Sequence, residues 1–111
     1  MPATYDDAQL VMQLLRWGED MRLSDAIGVV VSDDFDPERA DVNDSSVRTL
    51  LFFGETVSTF VKQGVLDRDL VEDLWWVQGM WARVGPAALR QREKIGEPRM
   101  YENFEALAKP R

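Results

Sequence analysis

Two kinds of side chain in this sequence could do chemistry, clustered carboxylates and clustered tryptophans. Asp33, Asp34 and Asp36 stand close together, and Asp41 and Asp44 follow in the same polar stretch, S-D-D-F-D-P-E-R-A-D-V-N-D from Ser32 to Asp44. Carboxylate oxygens of this kind can hold magnesium or calcium. The spacing lacks the D-x-[DN]-x-[DN]-G pattern and closing Glu of an EF-hand, so solvated loop acids and helix caps account for it more simply. The chain contains no histidine and no cysteine. Zinc sites, Cys/His nucleophiles, disulfides and the commonest general base are therefore excluded. No G-x-G-x-x-G, G-x-x-x-x-G-K-[ST] or G-x-S-x-G occurs either, so nucleotide and hydrolase chemistries have no motif. No catalytic residue, metal-ligand set or cofactor site is assigned.

The tryptophans are denser. D-L-W-W-V-Q-G-M-W-A-R-V-G, Asp73 to Gly85, holds three of the chain's four. With each helical residue turning by about 100°, Leu70, Leu74, Val77, Trp81, Val84 and Ala88 fall on one seam of a single helix, which assigns Trp81 to the core. Trp75 lies about 120° away on one flank and Trp76 about 140° away on the other, with Met80 and Arg83 as its neighbours. The rings diverge, so they form no common stacking platform. Trp76 and Met80 face either a third helix, a second chain or a ligand. Phe52 poses the same question on another helix, pointing roughly opposite to Leu50 and Val57. Phe52, Trp76, Met80 and Arg83 are accordingly the interface candidates, because aromatic residues, Met and Arg are enriched at protein interfaces.

The elements that must position these residues are helices. Apolar residues recur at helical spacing through most of the chain, which makes the fold class all-α, a single domain over 1–111 of about five helices with a polar loop at 32–44. Thr4 and Asp7 form a capping box, and Leu10, Leu14, Trp17 and Met21 follow on one face of a first helix, loosened at Gly18. Leu23 to Val31 fits a second helix, although the β-branched run Val29 to Val31 suits a short buried strand as well. Asp36-Pro37-Glu38 reads as one helical turn inside the polar loop. A third helix starts near Asn43 or Asp44 and ends at Gly64. Asp67 caps a fourth, Pro86 breaks or kinks it, and a further segment reaches Gly96. Glu97-Pro98 opens the last helix, with Met100, Phe104, Leu107 and Ala108 on one side.

Apolar content of 45% and charged content of 30% fit a soluble globular chain without a membrane span, and the acidic N-terminus is unlike a signal peptide, so the expected location is cytoplasmic. The net charge of −7 is uneven: 11 acidic against 3 basic residues over 1–44, 5 against 3 over 45–81, and 4 against 7 over 82–111. The acidic front disfavours nucleic acid as a partner. The basic tail could pair with that front within one molecule or between two.

Y-D-D-A-Q-L-V-M-Q-L-L, F-V-K-Q-G-V-L-D-R-D-L-V, W-A-R-V-G-P and G-E-P-R-M-Y-E-N-F-E-A-L-A together resemble a family of small bacterial all-α proteins catalogued only as a domain of unknown function. The likeness covers most of the chain in the same order. Met21 to Val31 departs from it, since a more charged helix is expected there. The resemblance implies an all-α fold and a bacterial source, and no functional residue carries over, because the motifs are helix starts, turn glycines and core aromatics.

The reading of function is a non-enzymatic interaction module that forms a homodimer or docks to another bacterial protein. Two other classes stay open. One is a small-molecule binder or enzyme with an aromatic pocket among Trp75, Trp76, Tyr5 and Tyr101; the other is an acidic mimic of nucleic acid that occupies a basic partner.

Overall fold

Capping chemistry sets the helix starts. In a computed structural model, which describes residues 2–111, six helices follow in order: α1 Tyr5–Asp20, α2 Leu23–Val30, α3 Ser45–Lys62, α4 Arg68–Leu74, α5 Val77–Ile95 and α6 Glu102–Ala108. The described residues contain no strand, so the chain is all-α and the valine run closes α2. At the head of α1 the Thr4 hydroxyl accepts from the Asp7 N–H at 3.2 Å, and the Asp7 carboxylate accepts from the Thr4 N–H at 2.7 Å. That reciprocal box works with Asp in place of the usual Glu. Asp67 caps α4 by accepting from the Leu70 N–H at 2.9 Å.

Glycine closes two helices where a left-handed residue is required. Gly64 has φ of 78°, and the Val65 N–H reaches the Phe60 carbonyl at 3.0 Å while the Gly64 N–H reaches Val61 at 3.1 Å, a Schellman ending for α3. Gly96, with φ of 71°, ends α5.

α3 lies at the centre, packed against α2, α5 and α6. Leu50 and Leu51 on α3, Val84 on α5 and Phe104 on α6 are fully enclosed. A ladder of aromatic rings runs through this core. Trp17 stacks on Phe53 at 5.8 Å, Phe53 meets Trp75 edge-on at 5.4 Å, Trp75 stacks on Phe104 at 5.5 Å, and Phe104 meets Trp81 edge-on at 5.1 Å. Each such pair contributes about 0.5–1.5 kcal/mol beyond the burial of area.

Small residues make room for these rings. Phe104 occupies the space a side chain at Gly54 would need, Trp81 does so at Gly85, and Leu23 and Phe53 do so at Gly18. Gly18 therefore does not loosen α1; it lets α1 approach α2 and α3.

The structure departs from the sequence expectations at three helix boundaries. Pro86 lies inside α5 and does not end it; the preceding Gly85 has no Cβ to clash with the proline ring, which eases the helical conformation before a proline. α6 opens at Glu102 and not at Glu97-Pro98, because Tyr101 takes a left-handed conformation at φ of 57° and turns the chain. The expected fourth helix is two, α4 and α5, which raises the count from about five to six.

The polar loop 32–44 contains the expected turn, with the Ala40 N–H bonded to the Asp36 carbonyl at 3.0 Å. α5 holds it in place: Arg90 donates to the carbonyls of Pro37 at 3.0 Å and Ala40 at 2.6 Å. The basic tail thus meets the acidic front half through backbone carbonyls. No helix among the described residues is long and apolar enough to cross a membrane.

Candidate docking surface

The division between α4 and α5 decides where the tryptophans point. Trp75 is extended, with φ of −139° and ψ of 134°. Trp76, with φ of −81° and ψ of 73°, is the centre of an inverse γ-turn in which the Val77 N–H reaches the Trp75 carbonyl at 2.9 Å. Trp75 turns inward between Phe53 and Phe104, and its indole N–H is buried without a partner among the described residues. The residues on either side turn outward. Leu74 is 61% exposed and Trp76 is 68% exposed. One face of the Trp76 ring lies over Gly79, where a Cβ would collide with it. The indole rests on the first turn of α5 and is otherwise open to solvent.

The four interface candidates therefore separate. Met80 is a core residue, 3% exposed. Helical arithmetic centred the buried face on Trp81 and so set Met80 on a free face; α5 buries the face of Val77, Met80, Val84 and Ala87, with Trp81 half-buried on its flank. Arg83 sits 5.8 Å from the Phe35 ring centroid and donates to the carbonyls of Val31 at 3.4 Å and Ser32 at 3.3 Å. It closes the C-terminal end of α2, where a cation is favoured. Phe52 is exposed, with its edge on Trp17 at 5.8 Å. The Trp17, Phe53 and Trp75 rings stand between Phe52 and the α4–α5 junction.

The proposed aromatic pocket is not assembled. Trp75 and Trp76 flank a hollow of about 230 Å³ with Glu72, Val77, Gln78 and Leu107. Tyr5 is exposed at the head of α1, and Tyr101 lies near Glu55; neither lines the hollow. Burial, and then the nearby Glu55 charge, push the Tyr101 phenol above its ordinary range.

Sequence reasoning missed a groove on the other side of Trp75. It encloses about 220 Å³ between α1, α2, α3 and α4, with Val11, Leu14, Leu15, Val57, Val71 and Leu74 among its walls. Glu19 is its one charged lining residue and accepts from the Ser24 hydroxyl at 2.5 Å. Its signal in the sequence was the stripe Val11, Leu15, Glu19 beside the core stripe of α1. In the polar loop, Asp36 accepts from the Glu38 N–H at 2.9 Å and lies 3.7 Å from Arg39. Among the described residues no group of three acidic side chains, Asp33 and Asp34 included, converges to hold a metal ion.

Comparison with curated proteins and with solved structures gives no match. A family model does match, over residues 7–110, and takes in every helix from the first turn of α1 to the end of α6. Its span covers nearly the whole chain, and the chain accordingly belongs to the family described as a domain of unknown function, DUF4760.

Proposed function

We propose that this chain is a non-enzymatic interaction module of a bacterial cytoplasm and that it self-associates through the α4–α5 junction. One observation carries the reading: Leu74 and Trp76 project on either side of Trp75 at 61% and 68% exposure, and the Trp76 ring rests against Gly79. A rigid aromatic side chain costs little entropy to bury, which is why tryptophan dominates interface energetics. The resemblance of the motifs to small bacterial proteins supports the bacterial setting.

A second copy is a suitable partner because a two-fold interface needs projection and recess on the same patch. Leu74 and Trp76 supply projections, and the hollow beside Trp75 and Trp76 supplies a recess. Light-scattering mass on a size-exclusion column tests this with wild type and Trp76→Glu in parallel. A dimer that becomes a folded monomer on substitution is the expected outcome. A wild type that stays monomeric at the highest attainable concentration would refute self-association.

A further inference from the structure

We propose that the groove between α1 and α4 is a second docking site, which takes about two turns of an amphipathic helix from a partner polypeptide carrying a lysine or arginine for Glu19. The inference rests on the reading of the chain as an interaction module, but it uses the groove on the far side of Trp75, which shares Leu74 with the self-association edge and does not include Trp76.

Length is the first argument. Val11, Leu14, Leu15 and Glu19 line the groove from one helix, and at 1.5 Å per residue they extend over about 12 Å. That is the span of apolar anchors at i, i+3 and i+4 with one further group at i+8, the pattern by which an amphipathic helix of about two turns fills an apolar groove. Leu15 on α1 and Leu74 on α4 remain 45% and 61% exposed, so both rims stay apolar and open.

Charge is the second argument, and it selects the occupant. Glu19 is the groove's single charged group, its only side-chain partner is the neutral Ser24 hydroxyl, and no lysine or arginine among the described residues pairs with it. Asp20 follows it on α1, and no basic residue lines the walls. An anionic ligand would meet repulsion at that end. A helix with three apolar anchors and a cation one turn beyond them matches both the floor and the end.

The probe is a synthetic helical peptide with leucines at i, i+3 and i+4 and a lysine at i+8, followed through tryptophan fluorescence and calorimetry against the full chain. Binding to wild type is expected, with at least a tenfold loss, about 1.4 kcal/mol, in Leu15→Asp. Glu19→Lys should weaken binding by about two- to fivefold, the scale of an exposed ion pair. A peptide with glutamate in place of the lysine should recover that loss on Glu19→Lys. Binding that ignores both substitutions, or no binding at all, overturns the proposal. Competition by a second copy or by a small apolar ligand, without charge reciprocity at Glu19, overturns the choice of occupant. Since Trp76→Glu reports only on self-association, a dimer that persists while the peptide fails to bind removes this inference and leaves the interaction reading intact.

Discussion

The two sides of Trp75 are built by opposite rules. On one side α3, α5 and α6 close around Phe104, whose ring fills the place of a missing Cβ at Gly54, stacks on Trp75 and meets Trp81 edge-on. On the other, α1 and α4 stand apart over an apolar groove and leave Leu15, Leu74 and the neighbouring Trp76 in solvent. The same residue types appear on both sides. What differs is whether small residues make room for the rings: on the core side Gly54 seats Phe104 and Gly85 seats Trp81, while no glycine lines the groove. Apolar side chains alone therefore do not define a core, and those left without a seat are the surface available for recognition.

Truncating one large side chain on each side breaks that contrast most sharply. Phe104→Ala empties the centre of the ladder and should cost about 3–5 kcal/mol. Leu74→Ala, already solvated, should change stability by no more than about 0.5 kcal/mol. Chemical denaturation of both variants checks the pair, and equal losses would show the groove side to be core as well.

The next effect concerns the loop that α5 holds. Arg90→Ala removes the guanidinium bonds to the Pro37 and Ala40 carbonyls, and charged hydrogen bonds of this kind are worth about 1.5–3 kcal/mol. Because the loop borders solvent, the lower end is expected. Hydrogen exchange should rise over residues 32–44 while α6 stays protected.

A smaller change separates packing from hydrogen bonding at the boundary itself. Trp75→Phe keeps a ring between Phe53 and Phe104 but deletes the buried indole N–H that has no partner. Loss of ring area and relief of the unpaired donor oppose each other, so unfolding should shift by about 1 kcal/mol or less.

The smallest effect depends on pH. The Thr4 N–H holds the Asp7 carboxyl below the usual aspartate range, partial burial opposes this, and the Thr4 hydroxyl and the Asp67 N–H reinforce it. A lowered folded pKa means that the contribution is complete above the ordinary aspartate value and is lost as pH falls through the folded one. Asp7→Asn should melt slightly below wild type at neutral pH. The gap should close as the solution is acidified below the aspartate range.

Much of this architecture was legible in the sequence. Thr4 with Asp7, Asp67, Gly64 and Gly96 announced helix ends because their chemistry is local, and Val77, Trp81, Val84 and Ala88 kept their seam because α5 is regular. The turn at Trp76 was not legible: neither tryptophan is a helix breaker, and Trp75 leaves the helix because Phe53 and Phe104 receive its ring. Tyr101 and Arg22 take left-handed conformations without the glycine that would signal them. At the site the reading centred the buried face of α5 on Trp81, which put Met80 on the surface; the structure buries Val77, Met80 and Val84 together and gives Arg83 intramolecular partners in the carbonyls that end α2. The one local clue was spacing, with Gly79 three residues after Trp76 and Gly85 four after Trp81.

The most direct test of this division is the thermal midpoint of wild type and Trp76→Glu measured across a wide range of protein concentration. Self-association through an exposed Trp76 requires the wild-type midpoint to climb with concentration, and the variant to stay flat at the dilute wild-type value. A variant that melts well below wild type at every concentration would make Trp76 part of the core, and two flat, coincident curves would contradict self-association.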